Sequence, residues 1–155
     1  MMHQTKPIKR NKALQPVSRE HHQGLLLCWK IRQGLKKNIT PERMKTYADW
    51  FYKAYLLPHF EIEEKYLFPI LGHEHELIIK ATAQHRRLTR LFTDQTHLGK
   101  SLSFIEEELE THIRFEERVL FNLIQETATT NQLKDIKKHH IEVPFVENET
   151  DQFWE

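Results

Sequence analysis

The chain carries eleven histidines in 155 residues, and their spacing is the first sign of chemistry. Residues 59–71 read HFEIEEKYLFPIL and residues 112–124 read HIRFEERVLFNLI. Aligned without gaps, both stretches place Glu-Glu four and five positions after the histidine, and Leu-Phe eight and nine positions after it. His59/Glu63 and His112/Glu116 are thus two copies of His-x3-Glu. Residues four apart on a helix stack on one face, so an imidazole and a carboxylate can converge on one cation. A single such pair is most often a surface contact. Two copies on apolar faces differ, because buried titratable groups are costly unless paired or metal-bound. In the first copy the face continues through Leu56, Leu67 and Ile70; in the second it continues through Ile105, Leu109, Val119 and Leu123. The neighbouring Glu64 and Glu117 lie about 100 degrees further round and suit solvated or outer contacts.

Further histidines fall on two other helical stretches. His85 shares a face with Ile78, Ala81, Leu88 and Phe92. His21 and His22 compete for the inner face of the first helix, and the stripe Leu25, Cys28, Ile31 and Leu35 favours His21. The resulting set is His21 or His22, His59, Glu63, His85, His112 and Glu116. Imidazole and carboxylate ligands suit iron, manganese or zinc, and the lack of thiolates argues against soft metals.

The elements that must position these residues are all helical. With four glycines and six prolines and no alternating strand pattern, the expected fold is all-α. It is an antiparallel up-down-up-down four-helix bundle with a short fifth helix and a C-terminal tail. Helix one is expected from an N-cap at Ser18 to about Lys37, and helix two from Thr40-Pro41 to about Leu71, kinked at Pro58. Helix three is expected over about His75 to Thr96. Helix four is expected from a cap at Ser101 or Ser103 to about Thr127, and a short helix from Asn131 to His140. Residues 1–13 read as a solvated leader containing the basic run Lys6 to Lys12, residues 14–130 as the bundle, and residues 131–155 as the short helix and an acidic tail. Phe145, Phe153 and Trp154 are possible docking anchors in that tail, Phe153 and Trp154 also against a second subunit.

These residues resemble the hemerythrin-like, or HHE cation-binding, family over about residues 14 to 127. The most specific element is His59-Phe60-x-x-Glu63-Glu64, which is similar to the family's HFxxEE signature. The resemblance implies a non-haem di-iron centre, oxo- or hydroxo-bridged, with Glu63 and Glu116 between the metals. His21 (or His22) and His59 would serve one iron, His85 and His112 the other; manganese or zinc could be loaded instead. One departure is plain. Oxygen-carrying hemerythrins have a second histidine one turn from the first on helix three, where this chain has Ala81 and Thr89. Water, Glu64 or Glu117 could fill that place, and the departure shifts the expected role from oxygen carriage towards sensing or iron handling.

Composition narrows the function classes. A net charge of +1 gives no global field towards nucleic acid, and no apolar run reaches the roughly 20 residues of a membrane helix. No stretch at the start suits a secretory signal. A single cysteine, Cys28, excludes an internal disulfide and an iron–sulfur cluster held by this chain alone, which fits the cytoplasm. Cys28 reads as an inert core thiol, and Trp29, Trp50 and Phe51 as packing residues. His73, His75 and His97 read as loop residues, and His139 and His140 as cations at a helix end. The expected function is a monomeric or homodimeric protein that binds or senses oxygen, nitric oxide or iron. The alternatives are a di-iron redox enzyme (peroxidase, ferroxidase or nitric-oxide handling) and a metal-free interaction bundle.

Overall fold

The computed structural model describes residues 9–140, 142 and 144–155, so the first eight residues of the expected leader lie outside the described residues. Helix α1 spans Gln15–Lys36, α2 Pro41–Phe51, α3 Leu57–Ile62, α4 Glu76–Thr93, α5 Leu98–Phe115, α6 Phe121–Thr127 and α7 Thr130–His139. Among the described residues there is no strand and no helix long and apolar enough to cross a membrane. The helices form a bundle in which α1 packs on α5 and α4 packs on α5.

Local sequence explains the boundaries. After α1, Asn38 takes a left-handed conformation at φ 55°, which asparagine tolerates better than most residues. Thr40 is extended and Pro41 opens α2, where its missing N–H costs nothing. Gly72, at φ 90°, makes the turn before α4. Thr129 and Gln132 form a reciprocal capping box on α7.

Three π turns interrupt the second and fourth long helices. They span Tyr52–Leu56, Glu63–Leu67 and Glu116–Leu120. The first lies just before Pro58, so the irregularity expected at the proline takes the form of a wide turn in which Leu57 N–H donates to Tyr52 O. The other two begin at Glu63 and Glu116, and in each the N–H after the turn donates to the glutamate's own carbonyl. Such turns cluster at functional sites.

These turns correct the face predicted beyond Glu116. Val119 is 45% exposed and Leu123 only half-buried, while Leu120, Phe121 and Ile124 are fully buried. A π turn adds about one residue to the repeat, so the inner positions after the glutamate move from three and seven to four, five and eight. Other boundaries also move. Ser18 lies inside α1, and its hydroxyl donates to Glu117 Oε2 at 2.9 Å. Helix α5 starts at Leu98, before both serines, and Ser101 Oγ donates to Asp94 Oδ2 at 2.6 Å. Helix α4 ends at Thr93, and His75 is its N-cap, accepting from Leu77 N–H at 3.1 Å.

The reading of residues 9–13 as solvated leader is also corrected. Arg10 donates to Asn122, Gln125 and the Glu117 carbonyl, and Ala13 is buried. Trp29 is 46% exposed, so it is not a core packing residue, whereas Phe51 is buried. The tail docks on its own bundle. Phe153 is buried where Gly34 leaves room: a Cβ on Gly34 would lie 2.9 Å from the ring. Glu147 joins Lys30 Nζ and Tyr47 Oη, each at 2.5 Å. Cys28 is buried, and burial pushes its thiol up to about 12, which leaves it inert.

Candidate metal centre

The long helices bring two histidines and two glutamates together twice. One group is His21, His59, Glu63 and Glu116; the other is Glu63, His85, His112 and Glu116. All six residues are buried, and the two glutamates belong to both groups. His21 Nε2 lies 3.0 Å from Glu116 Oε1 and 3.8 Å from Glu63 Oε2. His59 Nε2 lies 3.3 Å from Glu63 Oε2. On the other side, His85 Nε2 lies 3.1 Å from Glu63 Oε1, and His112 Nε2 lies 3.3 Å from Glu116 Oε1. Helix α1 turns His21 inward and leaves His22 exposed, because the two are about 100 degrees apart.

These atoms are a poor fit to a metal-free interior. Both carboxylate oxygens of Glu63, Oε2 of Glu116, and Nε2 of His85 and His112 are buried without a hydrogen-bond partner of good geometry. Leaving such groups unsatisfied costs about 1–3 kcal/mol each, and more if charged. A cation among them would satisfy all of these atoms together, and the nitrogen and oxygen donor set suits one.

An outer layer fixes the rings. His21 Nδ1 meets Glu117 Oε2 at 2.8 Å, and His59 Nδ1 meets Glu20 Oε1 at 2.8 Å. His85 Nδ1 meets Glu64 Oε2 at 2.8 Å, and His112 Nδ1 meets Gln84 Oε1 at 2.5 Å. Each acceptor holds the proton on Nδ1 and aims Nε2 inward, the usual arrangement around metal-ligating histidine. Glu64 and Glu117 are therefore committed outside the cluster and do not fill the place of the absent helix-three histidine. Of the two residues in that place, Ala81 is buried and the Thr89 hydroxyl lies 3.3 Å from that of Tyr52.

The charges are strongly coupled. Burial alone would keep the His21 ring neutral, but the carboxylates of Glu116 and Glu117 hold its pKa well above the usual value. Burial opposes charge on His59 too, and Glu63 and Glu20 override it to about 9. His85 is likewise held at about 9, against burial, by Glu63 and Glu64. Burial would raise Glu63, but the rings around it hold it well below the carboxylate range. Protons thus occupy the positions a metal would take, and metal binding must release them.

The comparison with protein families decides the lineage. Residues 13–124 match the hemerythrin HHE cation binding domain. The chain belongs to that family. No curated protein and no solved structure matches it. The hemerythrin domain covers all six residues of the cluster, and family and geometry agree on cation binding through a buried His/Glu site.

Sequence reasoning missed Glu20, Gln84 and His140. The first two had a signal: each immediately precedes a histidine, and each serves the histidine of the next long helix. His140 had none. It was read as a helix-end cation, yet its Nε2 lies 3.2 Å from Glu20 Oε2. Glu20 is held down to about 2, against its burial, by contacts with His140 and His59.

Proposed function

We propose that this chain is a non-haem di-iron protein that binds or senses dioxygen, nitric oxide or iron, built on an antiparallel up-down-up-down four-helix bundle. The observation that carries this reading is the sharing of Glu63 and Glu116 between two buried histidine pairs. Each pair faces both carboxylates, so the six residues could hold two cations, with His21 and His59 at one and His85 and His112 at the other. Iron, when bound, would supply redox chemistry and open coordination for a small ligand. The chain's own residues do the rest. Glu63 and Glu116 would hold both ions, the outer acceptors fix the four rings, and Phe60, Phe68 and Phe121 pack against the histidines.

Metal analysis after anaerobic reconstitution tests the proposal: about two irons per chain are expected, located by anomalous scattering at the iron edge. A chain that remains free of iron after reconstitution overturns it. A second reading, a di-iron redox enzyme, is favoured by a pocket that reaches His21, His59 and His112 from the surface. It predicts turnover with peroxide or nitric oxide that disappears in Glu63→Ala. The metal-free interaction bundle finds no support in the unpartnered carboxylate and imidazole atoms.

A further inference from the structure

The pocket beside the cluster has a volume of about 220 Å³. Its inner end is His21, His59 and His112, and its apolar walls include Gly24, Phe51, Leu56, Phe60, Ile113 and Phe145. It exists on one side of the centre for an identifiable reason. Three residues after the first histidine of each half stand Gly24 and Leu88; one residue after the second stand Phe60 and Ile113. In the second half Phe60 stacks on His85 at 3.8 Å between ring centroids, and Leu88 is buried. Beside His21 the corresponding residues are Ile113 and Gly24, and no ring stands where Phe60 covers His85. The Ile113 δ-methyl lies over Gly24, where a Cβ would come within 2.7 Å of it, and both residues line the pocket. The outer wall, Glu142, Pro144 and Phe145, comes from beyond the segment matched by the family.

The lining also describes what would fit. A cavity of about 150 Å³ accepts benzene, so this one has room for a substituted single ring. Tyr55, Phe51 and Phe145 cluster there, with the Tyr55 and Phe145 ring centroids 4.9 Å apart and those of Phe51 and Phe145 6.3 Å apart. Such faces suit another aromatic ring. Among the described lining residues the carboxylates and the guanidinium already have partners. Arg19 donates to Glu142 at 2.9 and 3.1 Å, and Glu20 contacts His59 and His140. The His21 and His59 rings are likewise paired, with Glu116 and Glu117 and with Glu20 and Glu63, so a charged ligand would find no unpaired counter-ion among these residues.

We infer that this pocket binds a small uncharged aromatic molecule, one ring in size, against the histidines of the cluster. The pocket stands without the metal, whereas the ring's closeness to a metal ion rests on the function proposed above. Fluorobenzene is a suitable probe, followed by fluorine NMR on the full chain loaded first with zinc and then with iron. A saturable shift is expected, with a dissociation constant on the order of 0.1–1 mM. Leu56→Trp should fill the pocket and abolish the shift. Phe145→Ala, in the tail and outside the bundle, should weaken binding about tenfold. No saturable shift, or equal affinity in Phe145→Ala, overturns the pocket. Iron should broaden the bound fluorine line well beyond the zinc form, and equal widths overturn the placement beside the metal. Metal content is measured separately, so a chain that binds fluorobenzene but takes up no metal loses the proposed function and keeps the pocket.

Discussion

The first half of the bundle, α1 to the π turn at Glu63, and the second half, α4 to the π turn at Glu116, are built on one plan and finished differently. In each, a histidine on the first helix precedes a His-x3-Glu-Glu on the second, and a π turn starts at the first of those glutamates. In each, the second glutamate holds the other half's scheme together: Glu64 reaches forward to His85 and Glu117 back to His21. Leu67 and Phe68 in one half, and Leu120 and Phe121 in the other, are buried after the turn. Phe68 lies 5.2 Å from His85 and Phe121 5.3 Å from His21, ring centroid to ring centroid. The differences fall at three places: Glu20 stands where the second half has Gln84, Gly24 where it has Leu88, and Ile113 where the first half has Phe60. Together they give one side an extra carboxylate, an opening and a contact with the tail, and leave the other closed. Two similar donor sets thus sit in unequal surroundings.

The sharpest break of this comparison is at the shared carboxylates. If Glu63 and Glu116 serve both positions, Glu63→Ala and Glu116→Ala should each empty the whole centre, read as metal per chain. Retention of half the metal in either variant would mean that the halves act separately.

The closed side should depend more on packing. Leu88→Ala is expected to cost about 2–5 kcal/mol in chemical denaturation, because the Leu88 side chain is fully buried in the core. A cost below about 1 kcal/mol would show that the closed side packs no more tightly than the open one.

The outer acceptors come next. Removing such a partner costs about 10- to 100-fold in metal affinity. Glu20→Ala should lie at the upper end, since a carboxylate is lost, and Gln84→Ala at the lower end. Equal losses in competition titrations with a chelator would erase the distinction between the halves. Gln84→Glu should narrow it.

Acidity acts on both halves alike. His59 and His85, raised to about 9 in the metal-free fold, stabilise it fully below the unfolded histidine value near 6.5, and that contribution fades as pH rises through 9. Glu20, lowered to about 2, contributes above the unfolded value near 4.5 and loses its effect as pH falls towards 2. The metal-free chain should therefore be most stable between about pH 4.5 and 6.5. Metal should raise the melting temperature more at pH 8.5 than at pH 6, and thermal melts with and without metal at both values check the sign.

The smallest effect is expected at Gly24. A Cβ there would lie 2.7 Å from the Ile113 δ-methyl, the free end of a side chain that borders the pocket and can turn away. Alanine's better helix propensity offsets the crowding, so Gly24→Ala should change stability by less than about 1 kcal/mol. A larger loss would mean that Ile113 has no room to move.

Much of this centre could be read in the chain itself. The repeat of His-x3-Glu-Glu, with Leu and Phe following, marks Glu63 and Glu116 as equivalent, because helical periodicity converts a spacing of four into a shared face. The same periodicity on α4 puts His85 beside Ile78, Ala81, Leu88 and Phe92, all of them buried. Periodicity also explains where reading stopped. It assumes 3.6 residues per turn, so the π turns at the two glutamates rotated the following residues out of register, and Val119 and Leu123 were misplaced.

Other features depend on contacts between segments far apart in the chain, which spacing along one helix does not encode. The apolar stripe favoured His21 over His22, and the packing of α1 against α5 decided between them. Glu20 was joined to His59 across 39 residues, and to His140 across the whole bundle. The donor types and their repeat are one-dimensional and lie open in the residues. The outer partners, the sealed side and the pocket exist only where helices and tail meet.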